Sequence, residues 1–308
     1  MAFGAFSASS TESAPVDIER FQRRSPIALL LLLPGILYLI LFFLTPLFSL
    51  VITSFEEPVP NGFVGEFQPA FAWQNYVLVV ETYWPHMTRS FVYALVATVF
   101  AFLVGYPIAY AIAVKMRRYP VLQALSLVLL IAPFFISFLL RTFAWKQVFT
   151  SEGWIVGALR TLAIIPPDGV LVGTPFSVIF GLAYNFLPFM ALPIYTTLER
   201  LDLRYLEAGS DLYAKPVTVF TRITFPLSIP GVLSGILLTF IPAAGDYINA
   251  SRDFLGSPST QMMGNIIEAN FLVLQNFPAA AALSLILMVA ILVLVTAYVK
   301  RSGTKELL

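Results

Sequence analysis

The chain has 308 residues, of which 58% are hydrophobic and only 11% are Asp, Glu, Lys or Arg, against about 25% charged in an ordinary soluble domain. So few charges leave a soluble enzyme of this size without a hydrated surface, and a formal net charge of +1 excludes a broadly basic nucleic-acid binder. With no cysteine and one histidine, His86, the chain cannot build a disulfide framework, a thiolate or multi-histidine metal centre, or a cysteine nucleophile.

Residues 1–26 are rich in Ser, Ala and charge and are expected to be mobile or to lie on the membrane surface. Arg23-Arg24 before an apolar run has the look of a twin-arginine signal. The run exceeds the roughly 7–15 residues of a signal core and lacks a small-residue cleavage site, so it reads as an uncleaved first span. A helix needs about 20 mainly apolar residues to cross the hydrocarbon. Six stretches meet that requirement, at about 27–54, 90–114, 121–140, 174–194, 230–250 and 278–299. The third is interrupted by Ala132-Pro133, and the first carries Pro34 and Pro46; membrane helices tolerate such prolines where neighbours or local kinks satisfy the freed carbonyls.

Lysine and arginine set the orientation. With the N-terminus cytoplasmic, 13 of the 18 fall in inside segments and only Arg89, Arg141, Lys146, Arg160 and Arg252 outside, so both termini are expected inside. The outer segments hold nine acids against these five bases, an asymmetry that favours a cation but also follows from the positive-inside bias alone. Arg141 is expected as an interface anchor, and Trp84, Trp145 and Trp154 as members of an aromatic belt.

The longest cytoplasmic segment, about 195–229, reads differently from the other loops. Eight of its residues between Glu199 and Arg222 are charged, and Leu203, Leu206 and Leu212 interleave with them at roughly helical spacing, which predicts an amphipathic helix. Pro216 suits the first turn of a second helix, with Val217, Phe220 and Ile223 at threefold spacing and Pro226 and Pro230 expected to end it before the fifth span. The physical reading is a helix–turn–helix elbow against the bilayer, either a solvated connection or a docking surface.

The order of residues in the elbow resembles the E-A-A-x-x-x-G-x9-I-x-L-P motif of inner-membrane permease subunits of ATP-binding-cassette importers. Glu207 and Ala208 match its start, and Ile223 and Pro226 its end at the right distance. Gly209 stands for the second Ala, Phe225 for the Leu, and Tyr213 for the motif's glycine. A glycine would permit a left-handed turn at little steric cost; a tyrosine must use another turn or accept strain. The runs from Phe225 to Val232, Phe240-Ile241-Pro242, Gly245 to Asn249 and Met263 to Ile267 are similar to the spermidine/putrescine branch, with the resemblance extending over nearly the whole chain after about residue 25.

Within the membrane, ionisable groups are costly and usually functional. Asp246, near the outer end of the fifth span, is the one acid embedded in apolar sequence. Its carboxylate suits an ammonium by charge-assisted hydrogen bonding, Tyr247 offers an aromatic face to a cation, and Asn249 a neutral acceptor. Tyr184 and Asn185 supply a second polar pair in the fourth span. The alternative is that Asp246 and Asn249 cap a helix at the interface, with Gly245 marking a close contact. There is no G-x-x-x-x-G-K-[ST] phosphate loop, no metal-ligand spacing and no Ser/His/Asp set, so no catalytic residues and no metal site are expected.

The resemblance implies an all-α integral membrane fold of six spans, a type I importer permease over 27–299, with a coupling loop at about 195–229 and a cytoplasmic tail at 300–308. It further implies a bacterial cytoplasmic membrane location, a second homologous permease, an ATPase dimer that binds ATP and Mg, an extracytoplasmic substrate-binding protein, and surrounding lipid. Glu207, Ala208, Gly209, Asp211 and Tyr213 would dock the ATPase; Asp246, Tyr247, Asn249, Tyr184 and Asn185 are pathway candidates. The alternatives are another small solute in the same family and a standalone secondary transporter. The latter should show repeated halves and an ion site, and no repeat is evident.

Overall fold

The computed structural model describes residues 26–301. Residues 1–25 and 302–308, which hold nearly all of the expected N-terminal segment and most of the tail, lie outside the described residues. Residues up to Ser49 fall in a compact unit of their own. It contains α1 (Pro26–Leu39) and a π-helical turn, Ile40–Leu44, from which α2 (Thr45–Thr53) continues. Thr45 Oγ1 donates to the Ile40 carbonyl at 3.2 Å. Leu30–Thr53 is long and apolar enough to cross a membrane.

The second unit starts at Leu50. A short hairpin, β1 (Glu57–Pro58) and β2 (Phe67–Gln68), precedes α3 (Gln74–Tyr110). Helix continues from α3 through a π turn and a 3-10 turn to Arg118, making a run of 45 residues. At about 1.5 Å per residue this far exceeds the hydrocarbon thickness of about 30 Å. The helix therefore begins some sixteen residues before the expected span at 90–114. Val79 and Met87, with Tyr76 and Tyr83, form its inward stripe there at helical spacing, packing on Met263, Ile266 and Leu283.

The expected third span at 121–140, interrupted at Ala132-Pro133, is sharply bent there and extends to Thr161. It is two helical arms, Pro120–Phe135 and Phe138–Thr161, bent by 95°. The arms comprise α4 (Pro120–Ile131), a 3-10 turn Ala132–Phe135, α5 (Phe138–Phe149) and α6 (Trp154–Thr161). Pro133 has no N–H to extend the ladder, and Ile136 and Ser137 are extended, with ψ of 137° and 134°. The described residues thus contain five helices suited to crossing a membrane, and six when this bent pair counts as one.

The expected break at Pro226 and Pro230 is corrected. Helix runs without interruption from Pro216 to Ala244, as α9 (Pro216–Val219), a π turn Phe220–Thr224 and α10 (Phe225–Ala244). The π turn ends just before Pro226, so the wider winding falls where a proline ring would crowd the carbonyl one turn earlier.

The centre is α3, α7 (Pro175–Glu199) and α10, three helices joined by small residues. Ala94, Ala97, Ala101, Gly105 and Ala109 line the buried face of α3. On α10, Gly231 and Gly235 sit four apart against α7, where an added Cβ would lie 2.6 Å from the Pro193 carbonyl and 2.8 Å from the Met190 carbonyl. Such small-xxx-small contacts let helix backbones approach where no hydrophobic drive separates helix from lipid. Thr174 Oγ1 caps α7 by accepting from Ser177 N at 3.3 Å, with Pro175 at the first helical position. The chain closes with α11 (Met263–Glu268), a π turn, and α12 (Phe277–Arg301).

Candidate functional site

Two regions carry the polar residues singled out above. The first is the elbow. Its first helix, α8 (Arg204–Asp211), starts where Asp202 Oδ1 accepts from Arg204 N at 3.0 Å. Among α8 residues only Gly209 is buried, and an added Cβ would lie 3.1 Å from Ile223 and 3.2 Å from Val219. A glycine in place of the motif's alanine lets α8 lie closer on the second helix. Glu207, Ala208 and Asp211 face outward with Leu212 and Tyr213, the latter 96% exposed.

Tyr213 does adopt the left-handed conformation, with φ of 54°. Its N–H donates to the Ser210 carbonyl at 2.9 Å, and Ala214 N to the Gly209 carbonyl at 3.1 Å. This is the Schellman helix end, which ordinarily places glycine where this chain has tyrosine. The turn is the one a glycine would make, held at a steric cost of about 1–2 kcal/mol.

The elbow is anchored at both ends. At its root, Arg117 Nη1 donates to the Leu201 carbonyl at 2.9 Å, and Tyr195 OH to Glu199 Oε1 at 2.6 Å. At its far end, Phe220 stands edge-on to Tyr106 and Tyr110, with centroids 5.7 and 5.9 Å apart.

The second region is a buried polar assembly at the other end of the central helices. Past the end of α10, Asp246 turns the chain: its Oδ2 accepts from Asn249 N at 2.7 Å and its Oδ1 from Asn249 Nδ2 at 3.1 Å. Asn249 Oδ1 accepts from Asn185 Nδ2 at 3.0 Å, and the same amide group donates to Thr142 Oγ1 at 3.0 Å. The assembly therefore joins α5, α7 and the turn after α10. Asp246 is 7% exposed, Asn185 1% and Asn249 not at all.

Of the five pathway candidates, the structure brings Asp246, Asn249 and Asn185 into one network and leaves the two tyrosines outside it. Tyr247 is half exposed, while its carbonyl accepts from Asn265 Nδ2. Tyr184 stacks with Phe180 and meets Trp145 edge-on at 5.2 Å, facing a cleft of about 400 Å³ that also touches Ile112, Pro133 and Leu187. Trp145 is thus part of an internal aromatic cluster, whereas Trp84 and Trp154 are exposed as belt residues are.

Arg141 departs from its expected place as an anchor. It is buried, with its guanidinium 5.7 Å from the Phe138 ring centroid and its Nε and Nη1 without a protein partner. The bend before α5 turns this arm inward. Among the residues that sequence reasoning missed is Thr142, which is wholly buried and gives no signal of its own beside Arg141 in α5. Ser90 and Arg89 were also missed. Ser90 Oγ accepts from Met263 N at 2.7 Å, and Arg89 Nη1 donates to the Gln261 carbonyl at 2.8 Å. Outside the spans, burial and then the charge of Asp253 raise the Glu268 carboxyl above the usual range.

The chain matches no family model. It is 32% identical over 266 residues to the spermidine/putrescine transport system permease protein PotB of Escherichia coli (strain K12), covering 86% of this chain and 94% of that protein. Among solved structures, a bacterial ABC transporter involved in the import of the acidic polysaccharide alginate matches with a TM-score of 0.66 at 16% identity, over 92% of this chain and 97% of the other. The alginate transporter in complex with an alginate pentasaccharide-bound periplasmic protein matches with a TM-score of 0.64 at 16% identity, over 91% and 95%. The fold is therefore that of an ABC importer permease.

Proposed function

Since the chain belongs to the spermidine/putrescine permease family of ATP-binding-cassette importers, we propose that it is the multi-pass subunit that forms a polyamine pathway with a second, homologous permease. A separate ATPase dimer binds ATP and Mg and drives the pair, and an extracytoplasmic binding protein delivers the substrate. The likeness to a transporter complexed with a periplasmic protein supports that last partner. The energy-converting chemistry belongs to the ATPase, and this chain supplies only the path and the joint. The membrane is the bacterial cytoplasmic one, with both termini and the elbow inside; the permease domain occupies 27–299.

The observation that carries the reading is the elbow. An amphipathic helix that buries only Gly209 and turns outward Glu207, Ala208, Asp211, Leu212 and Tyr213 has the form of a ball for another protein's socket. The exposed Tyr213 ring supplies an anchor of the kind that dominates interfaces, with Leu212 beside it and charges at the rim. Closure of the ATPases moves the two elbows together, and the helices that they terminate follow. On the other side, Tyr247 presents an aromatic face to an arriving cation, Asp246, Asn249 and Asn185 hold its turn in place, and Tyr184 belongs to the wall.

Glu207→Ala and Ala208→Trp test this in the assembled complex in proteoliposomes. Both chains should remain folded and paired with the second permease, while uptake of radiolabelled spermidine falls at least tenfold and less ATPase co-purifies. Unchanged ATPase retention and uptake would refute the docking role.

A further inference from the structure

The longest helix among the described residues is held near both of its ends by the two polar regions. At the elbow end, Arg117 grips the Leu201 carbonyl, Tyr106 OH and Ser228 Oγ lie 2.9 Å apart, and Tyr106 and Tyr110 receive Phe220. Near the other end, Ser90 Oγ accepts from Met263 N and Arg89 Nη1 donates to the Gln261 carbonyl. Twenty-seven residues separate Ser90 from Arg117, about 40 Å along a helix axis. No proline interrupts the helix between His86 and Tyr106.

The outer grip has a specific chemistry. The first N–H groups of a helix have no intrahelical acceptor. At the start of α11, Asn265 Oδ1 takes Met262 N at 3.0 Å, and Ser90 takes Met263 N from across the fold. Ser90 is wholly buried, so no water replaces it. The start of α11 in turn lies on the Asp246 turn. A Cβ at Gly264 would lie 2.6 Å from the Asp246 carbonyl and 2.7 Å from that of Gly245, and Asn265 Nδ2 donates to the Tyr247 carbonyl.

We infer that α3 with its continuation to Arg118 is a second rod, beside the continuous helix Pro216–Ala244, that carries elbow movement to the outer turn at 245–249. In this arrangement Ser90 and Arg89 are the positioning residues that fasten α11 to that rod. The inference rests on the elbow being the ATPase joint and adds what transmits its motion. When the elbow shifts, Arg117 and the Tyr106–Phe220 contact pull the rod. Its outer end then moves the start of α11, and with it the turn that exposes Tyr247. A mere packing role for Ser90 would affect stability alone. A transmitting role predicts that hydrolysis and transport come apart in a chain that still assembles.

The test uses the complete complex in proteoliposomes, with ATP hydrolysis and radiolabelled spermidine uptake measured together in the presence of the spermidine-loaded binding protein. Ser90→Ala should assemble with a normal complement of ATPase, hydrolyse ATP at no less than half the normal rate, and move about tenfold less spermidine per ATP. Ser90→Thr, which keeps the hydroxyl, should restore the ratio. Arg117→Gln, at the opposite end of the rod, should give the same loss and covers the case in which Ser90→Ala does not fold. A normal transport-to-hydrolysis ratio in Ser90→Ala, or in Arg117→Gln where Ser90→Ala fails to fold, overturns the rod. Failure of the unmutated chain to retain any ATPase is a different result, which overturns the joint and the rod with it.

Discussion

Replacing Asn249 by alanine should destabilise the protein more than any change at the neighbouring Tyr247. The Asn249 side chain donates to Asp246 Oδ1 at 3.1 Å and accepts from Asn185 Nδ2 at 3.0 Å, with no exposure to water. A hydrogen bond to an ionised group contributes about 1.5–3 kcal/mol and a neutral one about 0.5–1.5 kcal/mol. Their loss gives about 2–4.5 kcal/mol, because Asp246 and Asn185 are too buried for bulk solvent to replace the lost partner freely. For a chain of this size each kcal/mol shifts the melting temperature by about 2–4 °C, so a fall of about 10 °C is expected. Thermal unfolding of the purified protein in detergent, followed by tryptophan fluorescence, measures it. Tyr247→Ala, which leaves every one of these bonds in place, should cost less than about 1 kcal/mol. The double variant with Asn185→Ala should lose less than the sum of the two single changes, because they share one bond. A melting temperature within about 2 °C of the unmutated chain for Asn249→Ala would refute the claim that the network holds the turn.

Two further outcomes follow from backbone geometry. Tyr213→Gly should stabilise the isolated chain by about 0.5–1 kcal/mol by relieving the left-handed strain, less the entropy of the freer residue, while weakening ATPase co-purification because the exposed ring is lost; thermal unfolding and a pull-down read the two effects separately. Gly264→Ala should lower the melting temperature by several degrees, since its methyl group would meet two backbone carbonyls at 2.6 and 2.7 Å rather than a side chain able to move, and differential scanning fluorimetry checks it.

How far the fold was legible varied from element to element. The apolar runs were long enough to identify by counting, and the elbow was readable because charges are scarce elsewhere and gather between Glu199 and Arg222. Leu203 and Leu206 are half-buried as an apolar stripe would be, whereas Leu212, counted in the same stripe, is exposed just past the end of α8. Prolines behaved differently at two places. Pro226 and Pro230 stay within a continuous helix, with a π turn one turn ahead of Pro226, while Pro133 takes part in a 95° bend because two extended residues follow it. The same residue type thus gave opposite outcomes, separated by whether the residues after the proline stay helical or become extended.

The sequence by itself determined that this chain is a multi-pass helical membrane protein and where its charged elbow lies, because both depend on local composition and periodicity. It also marked Asp246, Asn249 and Asn185 as polar residues that an apolar segment does not tolerate without purpose. Only the tertiary structure decided that these three face one another, that Arg141 turns inward, and that Ser90 caps a helix 173 residues away. A buried donor must find its acceptor wherever the fold brings one, and such pairings join distant parts of the chain through geometry that no local pattern records.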